Sequence, residues 1–216
     1  LADNTTNTIT DSSRLSTEED YSAVIYSKED LIINGNGTLN VNAGYRNGIK
    51  STDDCIIVSG TLNITSTEDG IIGKDLCGIV AGDININAGS DGIKSTYDTD
   101  TTKGNVIIEG GNITIKASND GIQAENILVI NDGTINIKTN NGAADTTQTH
   151  TDNMDMDRGG FGFNNNKTTT TTDDTVESRK GIKAGNMLII NDGDITIDSD
   201  DDSVHCNSEI YIYGSC

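Results

Sequence analysis

"SDGIKST" at residues 90–96 is written again, with small changes, as "NGIKST" at 47–52, "SNDGIQA" at 118–124 and "KGIKA" at 180–184. The repeat glycine stands at Gly48, Gly70, Gly92, Gly121 and Gly181, and Ser203 takes the slot once more, giving steps of 22, 22, 29, 60 and 22 residues. A period in this range marks stacked repeats. The two longer steps carry inserts, "YDTDTTK" at 97–103 and a long one over 141–178.

Each repeat holds three short pieces, as in "NVIIEGG", "NITIKASND" and "GIQAE". The first is an apolar run, the second alternates with period two, and none is long enough for an ordinary helix. Val, Ile and Thr dominate, with turns of Gly, Asn and Asp, which is strand-and-turn chemistry. Three short strands per rung of about 22 residues predict an all-β, single-stranded solenoid: a parallel β-helix whose rungs bury one continuous core. The usual crossover of parallel strands makes it right-handed. Residues 1–20 lack the pattern and read as an N-terminal cap, with the helix over 21–216. From there Ile25 takes the slot of Ile49, and Leu31 that of Cys55. The chain ends partway through a rung, so the C-terminus reads as truncated.

In the alternating strands Leu39/Val41, Leu62/Ile64, Ile84/Ile86, Ile113/Ile115, Ile135/Ile137 and Ile195/Ile197 point inward. Asn40, Asn63, Asn85, Thr114, Asn136 and Thr196 point outward. They build a flat Asn/Thr wall, either simply solvated or a hydrogen-bonding face for sugar hydroxyls. The first strands, such as "DCIIVSG" and "NILVIND", are apolar on both sides. Such strands call for cover on both faces, from the insert or a partner, and self-association through that face is one way to supply it. The insert, with "GGFGFNNN" and "KTTTTTDD", is low-complexity and reads as a mobile excursion. Phe161 and Phe163 within it could stack on a sugar ring.

The 216 residues are 33% hydrophobic, with no Pro and no Trp, and carry 34 acids against 14 bases for a net charge of −20. That balance excludes a nucleic-acid partner, which needs a basic face. It fits either simple solubility or cation binding. There is no apolar stretch of membrane-spanning length and no signal peptide. Cys55 and Cys77 share a slot with Val106, Leu128 and Leu188. They read as a stacked apolar column, with a disulfide as the alternative, because rungs stack at about 4.8 Å.

Asp69, Asp91 and Asp120 each precede the repeat Gly, and Asp202 precedes Ser203. Stacked at about 5 Å, such carboxylates raise one another's pKa unless positive charge intervenes. One source is the parallel column Lys50, Lys94 and Lys183, with Gln123 and His205 in the same slot and Ile72 as the exception. The other is Ca²⁺, a hard cation with six to eight oxygen ligands. Asp69, Asp91, Asp98, Asp100, Asp120 and Glu125 are the candidate metal ligands. Lys50, Lys94, Tyr97, Gln123, Lys183 and His205 are candidate ligand-binding residues.

The stretches "SRLSTEEDYSAVIYSKEDLIINGNGTLNVNAGYRNGIKS" (13–51), "SNDGIQAE" (118–125), "RKGIKAGNMLIINDGDITI" (179–197) and "DDSVH" (201–205) carry a resemblance over nearly the whole chain. It resembles a secreted clostridial carbohydrate-binding domain family with a polysaccharide-lyase-like right-handed β-helix fold. The resemblance implies Ca²⁺ on the helix wall, binding of cellulose-like or acidic plant polysaccharide, and a secreted or cell-surface location. The fold is also similar to that of family-nine polysaccharide lyases, which hold Ca²⁺ with several Asp and use a Lys as base. That likeness points to Lys183, and to a lesser degree Lys94, as the catalytic base of a β-elimination on pectate. Against it, the acid of the lyase pattern is replaced by Gln123 in one rung and His205 in another. A non-catalytic binding module is therefore the first expectation, a calcium-dependent lyase the second, and a structural or adhesive solenoid the third.

Overall fold

The computed structural model describes residues 1–12, 22–142 and 178–214. The described chain is all strand and turn, in three parallel sheets of seven strands. Each rung gives one short strand to each sheet, so the sheets are the walls of a parallel β-helix.

One wall, the asparagine wall, stacks Thr6–Asp11, Thr38–Ala43, Thr61–Ser66, Asp83–Ala88, Asn112–Ala117, Thr134–Thr139 and Asp194–Asp198. A second, the lysine wall, stacks Ala23–Ser27, Asn47–Ser51, Ile71–Gly73, Ile93–Lys94, Ile122–Ala124, Ile182–Ala184 and Val204–Cys206. The third, the apolar wall, stacks Leu31–Ile33, Asp54–Ile57, Leu76–Ile79, Asn105–Ile108, Ile127–Ile130, Met187–Ile190 and Glu209–Ile212.

Period-two alternation sends every second side chain inward. Residues such as Leu62, Ile84, Ile113 and Ile135 are fully buried in one continuous core. The register matches the sequence reading. Ile25 pairs with Ile49, and Leu31 with Cys55. Cys55, Cys77, Val106, Leu128 and Leu188 form one column. Cys55 and Cys77 are free thiols, buried and unbridged, so the column is an apolar stack and the disulfide alternative falls. Burial pushes the Cys55 thiol up to about 12 and that of Cys77 well above its ordinary value.

The N-terminal stretch differs from its sequence reading. Thr6–Asp11 continues the asparagine wall, pairing in register with Thr38–Ala43. Its inward slots hold Asn7 and Ile9, and Ile9 is 41% exposed. Asn7 stands where later rungs have Leu or Ile, so the alternation that identifies those strands is missing.

Two glycine columns explain how the rungs close. Where the chain turns from the apolar to the asparagine wall, Gly35, Gly60, Gly82, Gly111, Gly133 and Gly193 all have φ between +105° and +124°, a region that L side chains rarely adopt. The repeat glycines have a different reason. A Cβ on Gly92 would lie 2.5 Å from the Gly121 carbonyl oxygen and 2.5 Å from the Ile115 Cγ2. Gly48, Gly70, Gly121 and Gly181 are equally crowded, by the next rung's carbonyl and an Ile methyl. In these five rungs only Gly fits where the lysine wall begins; Ser203 takes the slot in the last rung. No helix among the described residues is long and apolar enough to cross a membrane.

Candidate functional site

The aspartates ahead of the repeat glycines act first on the backbone. Asp69 Oδ1 accepts the Asp91 amide at 3.0 Å, and Asp91 Oδ1 accepts that of Asp120 at 2.9 Å. Asp120 Oδ1 accepts the Lys180 amide at 2.7 Å, and Asn47 Oδ1 opens the series by accepting the Asp69 amide at 2.9 Å. Each side chain thus satisfies an amide that the corner leaves without a strand partner. Asp91 and Asp120 are 4% and 1% exposed, and a buried acceptor column needs counter-charge.

The lysine column supplies it. Lys94 Nζ lies 2.6 Å from Asp91 Oδ2 and 4.0 Å from Asp69 Oδ2. Lys183 Nζ lies 3.2 Å from Asp120 Oδ2 and donates to Ser178 Oγ at 3.4 Å. Burial works against the charge on Lys94, but Asp91 and Asp69 outweigh it and hold its pKa above the ordinary value. Burial pushes Asp91 up, opposed by Lys94. Lys50 differs: burial pulls its pKa down against the attraction of Asp69, and its Nζ donates to Ser22 Oγ at 3.1 Å. In this column Lys50, not Lys94, is the amine whose surroundings favour loss of the proton.

The other predicted residues divide. Gln123 and His205 stand in register with Lys183, as read. Gln123 Nε2 donates to Glu125 Oε1 at 3.1 Å, and His205 Nδ1 lies 3.0 Å from Asp202 Oδ2. Asp100 is turned into its own loop, where Oδ1 accepts the Thr102 amide and hydroxyl, and these bonds lower its pKa. Asp98 is exposed. Tyr97 sits beside two cations, Lys74 Nζ at 4.9 Å and Lys103 Nζ at 5.0 Å from its ring centre. Phe161 and Phe163 lie outside the described residues.

In the ladder, Asp91 and Asp120 each have one oxygen on a backbone amide and the other on a lysine, so the lysines already supply their counter-charge. Among the described residues, carboxylate oxygens converge instead at Asp30, Asp53 and Asp54, within 4.8 Å of one another. These residues share the corner between the lysine and apolar walls. Burial, with the charges of Asp30 and Asp75, pushes Asp54 up. Hydrogen bonding to the Asp75 carboxyl pushes Asp53 up. Lys103 pairs with Asp75. Sequence spacing hides this group, since Asp53 stands outside the slot that Asp30 and Asp54 share.

The asparagine wall presents a different surface. Asn63 Nδ2 donates to Asn40 Oδ1 at 2.9 Å, and Asn85 Nδ2 to Asn63 Oδ1 at 3.1 Å. Asn40 Nδ2 in turn donates to Thr8 Oγ1 at 3.2 Å. A primary amide has two N–H groups and two acceptor positions, so each locked Asn keeps a donor and an acceptor for a ligand, repeated at rung spacing. Beside this line a shallow trough is lined by Asn63, Thr65, Asn85, Asn87, Thr114 and Lys116. It continues past Asn87 and Lys116 to Ser118, Lys138 and Asn140. Lys138 Nζ pairs with Asp198 Oδ2 at 2.8 Å, whereas Lys116 makes no ion pair among the described residues.

Fold and surface together define a solenoidal protein with a long polar face. A family model described as carbohydrate-binding domain-containing protein matches residues 1–215, and the chain belongs to that family. A carbohydrate-binding domain-containing protein of Acetivibrio thermocellus is 38% identical over 68 residues, 30% of this chain and 24% of its own length. The chain thus spans about a quarter of that relative. A solved structure, a polysaccharide lyase-like protein from C. thermocellum as a gadolinium derivative, is similar with a TM-score of 0.65. It is 24% identical, and the match covers 100% of this chain and 66% of that one. This likeness shows the shared fold.

Proposed function

We propose that the protein is a non-catalytic carbohydrate-binding β-helix that holds an extended, acidic plant cell-wall polysaccharide along its asparagine wall, outside the cell or on its surface. The observation that carries this reading is the hydrogen-bonded line Asn40, Asn63 and Asn85 beside a trough containing Lys116. Side chains locked before the ligand arrives lose little freedom on binding. Rungs repeat at about 4.8 Å, close to the rise per sugar of an extended polysaccharide chain, so successive sugars meet equivalent amides. Lys116, without a carboxylate partner among the described residues of a chain of net charge −20, supports an acidic glycan over a neutral one.

Calcium belongs to this reading as a structural ion held by Asp30, Asp53 and Asp54, a hard-oxygen set suited to it. Bound there, it would neutralise the crowded carboxylates of that corner. Glycan arrays with and without chelator, followed by titration calorimetry of Asn85→Ala, test both parts. Asn85→Ala should weaken oligogalacturonate binding several-fold with an unchanged melting temperature, and chelation should lower the melting temperature while leaving binding at the wall. An Asn85→Ala protein that binds as tightly as the parent sinks the placement on this wall.

One observation favours a second reading, a pectate-type lyase: a lysine with a lowered pKa is suited to proton abstraction, and half-buried Lys50, whose Nζ donates to Ser22 Oγ, has its pKa lowered by burial. Unsaturated product released from pectate, and lost in Lys50→Ala but not in Lys94→Ala, is the result this reading requires.

A further inference from the structure

Two lysines stand side by side on the asparagine wall. Asn87, Lys116, Lys138 and Asp198 follow one another in register along one edge of its outward face. Lys116 is exposed and has no carboxylate partner among the described residues, whereas Lys138 Nζ holds Asp198 Oδ2 at 2.8 Å. Like charges directly opposite on neighbouring strands repel, and Asp198 offsets only one of the two. One positive charge is left over, in a chain of net charge −20. The core does not need it, since the lysines point outward while their strand neighbours Ile115, Ala117, Ile137 and Thr139 are buried. Both lysines line the end of the trough, with Asn87 and Ser118.

The wall is charged unevenly across its width. The opposite edge runs Thr61, Asp83, Asn112, Thr134 and Asp194 in register, and its only charges are acidic. The two edges lie four residues apart along each strand, about 13 Å, which exceeds the screening length of about 8 Å in physiological salt. The acids of one edge therefore leave the lysines of the other largely unaffected, and an acidic sugar lies with its carboxylate toward the lysines. One rung, about 4.8 Å, separates Lys116 from Lys138. A carboxylate between two ammonium groups at that spacing can give one oxygen to each, and charge-assisted bonds of this kind are the strong ones. Lysine has three N–H donors, and Asp198 takes one from Lys138. Neighbouring sugars of a flat extended chain face opposite ways, so the pair meets one acid group rather than two. Thr114 and Asn136, in register in the middle column of the same rungs, would lie under the ring that carries it.

We propose that Lys116 and Lys138 clamp one free carboxylate of the glycan, so that the site selects chains with an unesterified sugar acid at that position. This rests on the glycan lying along the asparagine wall, as proposed above. Titration calorimetry with oligogalacturonates of equal length, one free and one fully methyl-esterified, tests it, because the ester keeps the ring hydroxyls and removes the charge. The protein should bind the free acid about tenfold more tightly than the ester. Lys116→Met and Lys138→Met should each lower that ratio to about twofold. The double substitution should cost less than the product of the two separate factors, since both side chains hold the same group. Equal binding of acid and ester by the parent overturns the clamp. So does a ratio that either lysine substitution leaves at the parent's value, or two substitutions whose factors simply multiply. Asn85→Ala separates these outcomes from failure of the wall itself. It should weaken acid and ester by the same factor, and an Asn85→Ala protein that binds both oligomers as the parent does sinks the wall reading on which the clamp rests.

Discussion

Replacing Asp91 by alanine removes the acceptor of the Asp120 amide and the counter-ion of Lys94 in one step. A buried amide is then without a partner and the half-buried ammonium keeps only Asp69, at 4.0 Å, which should cost about 3 kcal/mol of stability in denaturant unfolding. Asp91→Asn keeps an oxygen for the amide and loses only the ion pair, so about 1 kcal/mol is expected. The Lys94 pair also sets an alkaline limit. The folded state holds the Lys94 proton more tightly than the unfolded chain does, since its pKa is raised above 10.5. Its stabilisation is therefore complete below pH 10.5 and is lost as the pH rises through the folded-state value. Lys94→Met should flatten that alkaline limb in thermal melts taken across the range. The Asp and Lys columns were legible in the sequence because both recur beside the same glycine. What the aspartates do was not. Spacing shows that carboxylates align, but not that one oxygen of each accepts a backbone amide of the next rung while, in Asp91 and Asp120, the other faces a lysine.

At the scale of strands and corners, the two kinds of glycine make opposite predictions. Gly92→Ala drives a methyl to 2.5 Å from a backbone carbonyl that the stacked rungs hold in place, and should cost about 2–4 kcal/mol in equilibrium unfolding. Gly78→Ala adds the same methyl where only the Ile56 side chain lies near, at 3.6 Å and 3.8 Å. There the reduced freedom of the unfolded chain dominates, and the protein should gain about 0.5 kcal/mol. Strand register was legible almost throughout, since a shift of one residue would turn each Ile of "NITIK" or "DININ" out to solvent. It failed at Thr6–Asp11, where Asn7 breaks the apolar alternation and only pairing to Thr38–Ala43 identifies the strand. The corner carboxylates Asp30, Asp53 and Asp54 were missed for a related reason. Asp30 and Asp53 lie in turns and Asp54 opens the strand that follows, so no single periodicity records that the three meet.

For the molecule as a whole, each rung touches only its neighbours, and stability is close to a sum over rungs and their interfaces. The step from Gly121 to Gly181 shows how little such a stack asks of its connections. Ile122 and Ile182 pair as directly as Ile71 and Ile93, and Thr139 Oγ1 donates to the Arg179 carbonyl at 2.6 Å across the gap. The strands on either side keep register across a 60-residue step as well as across one of 22. That corner is therefore a natural socket. A foreign loop, an epitope or a whole small domain whose ends lie close together could be exchanged for the segment between Asn141 and Ser178, and the scaffold would read the graft as one more turn.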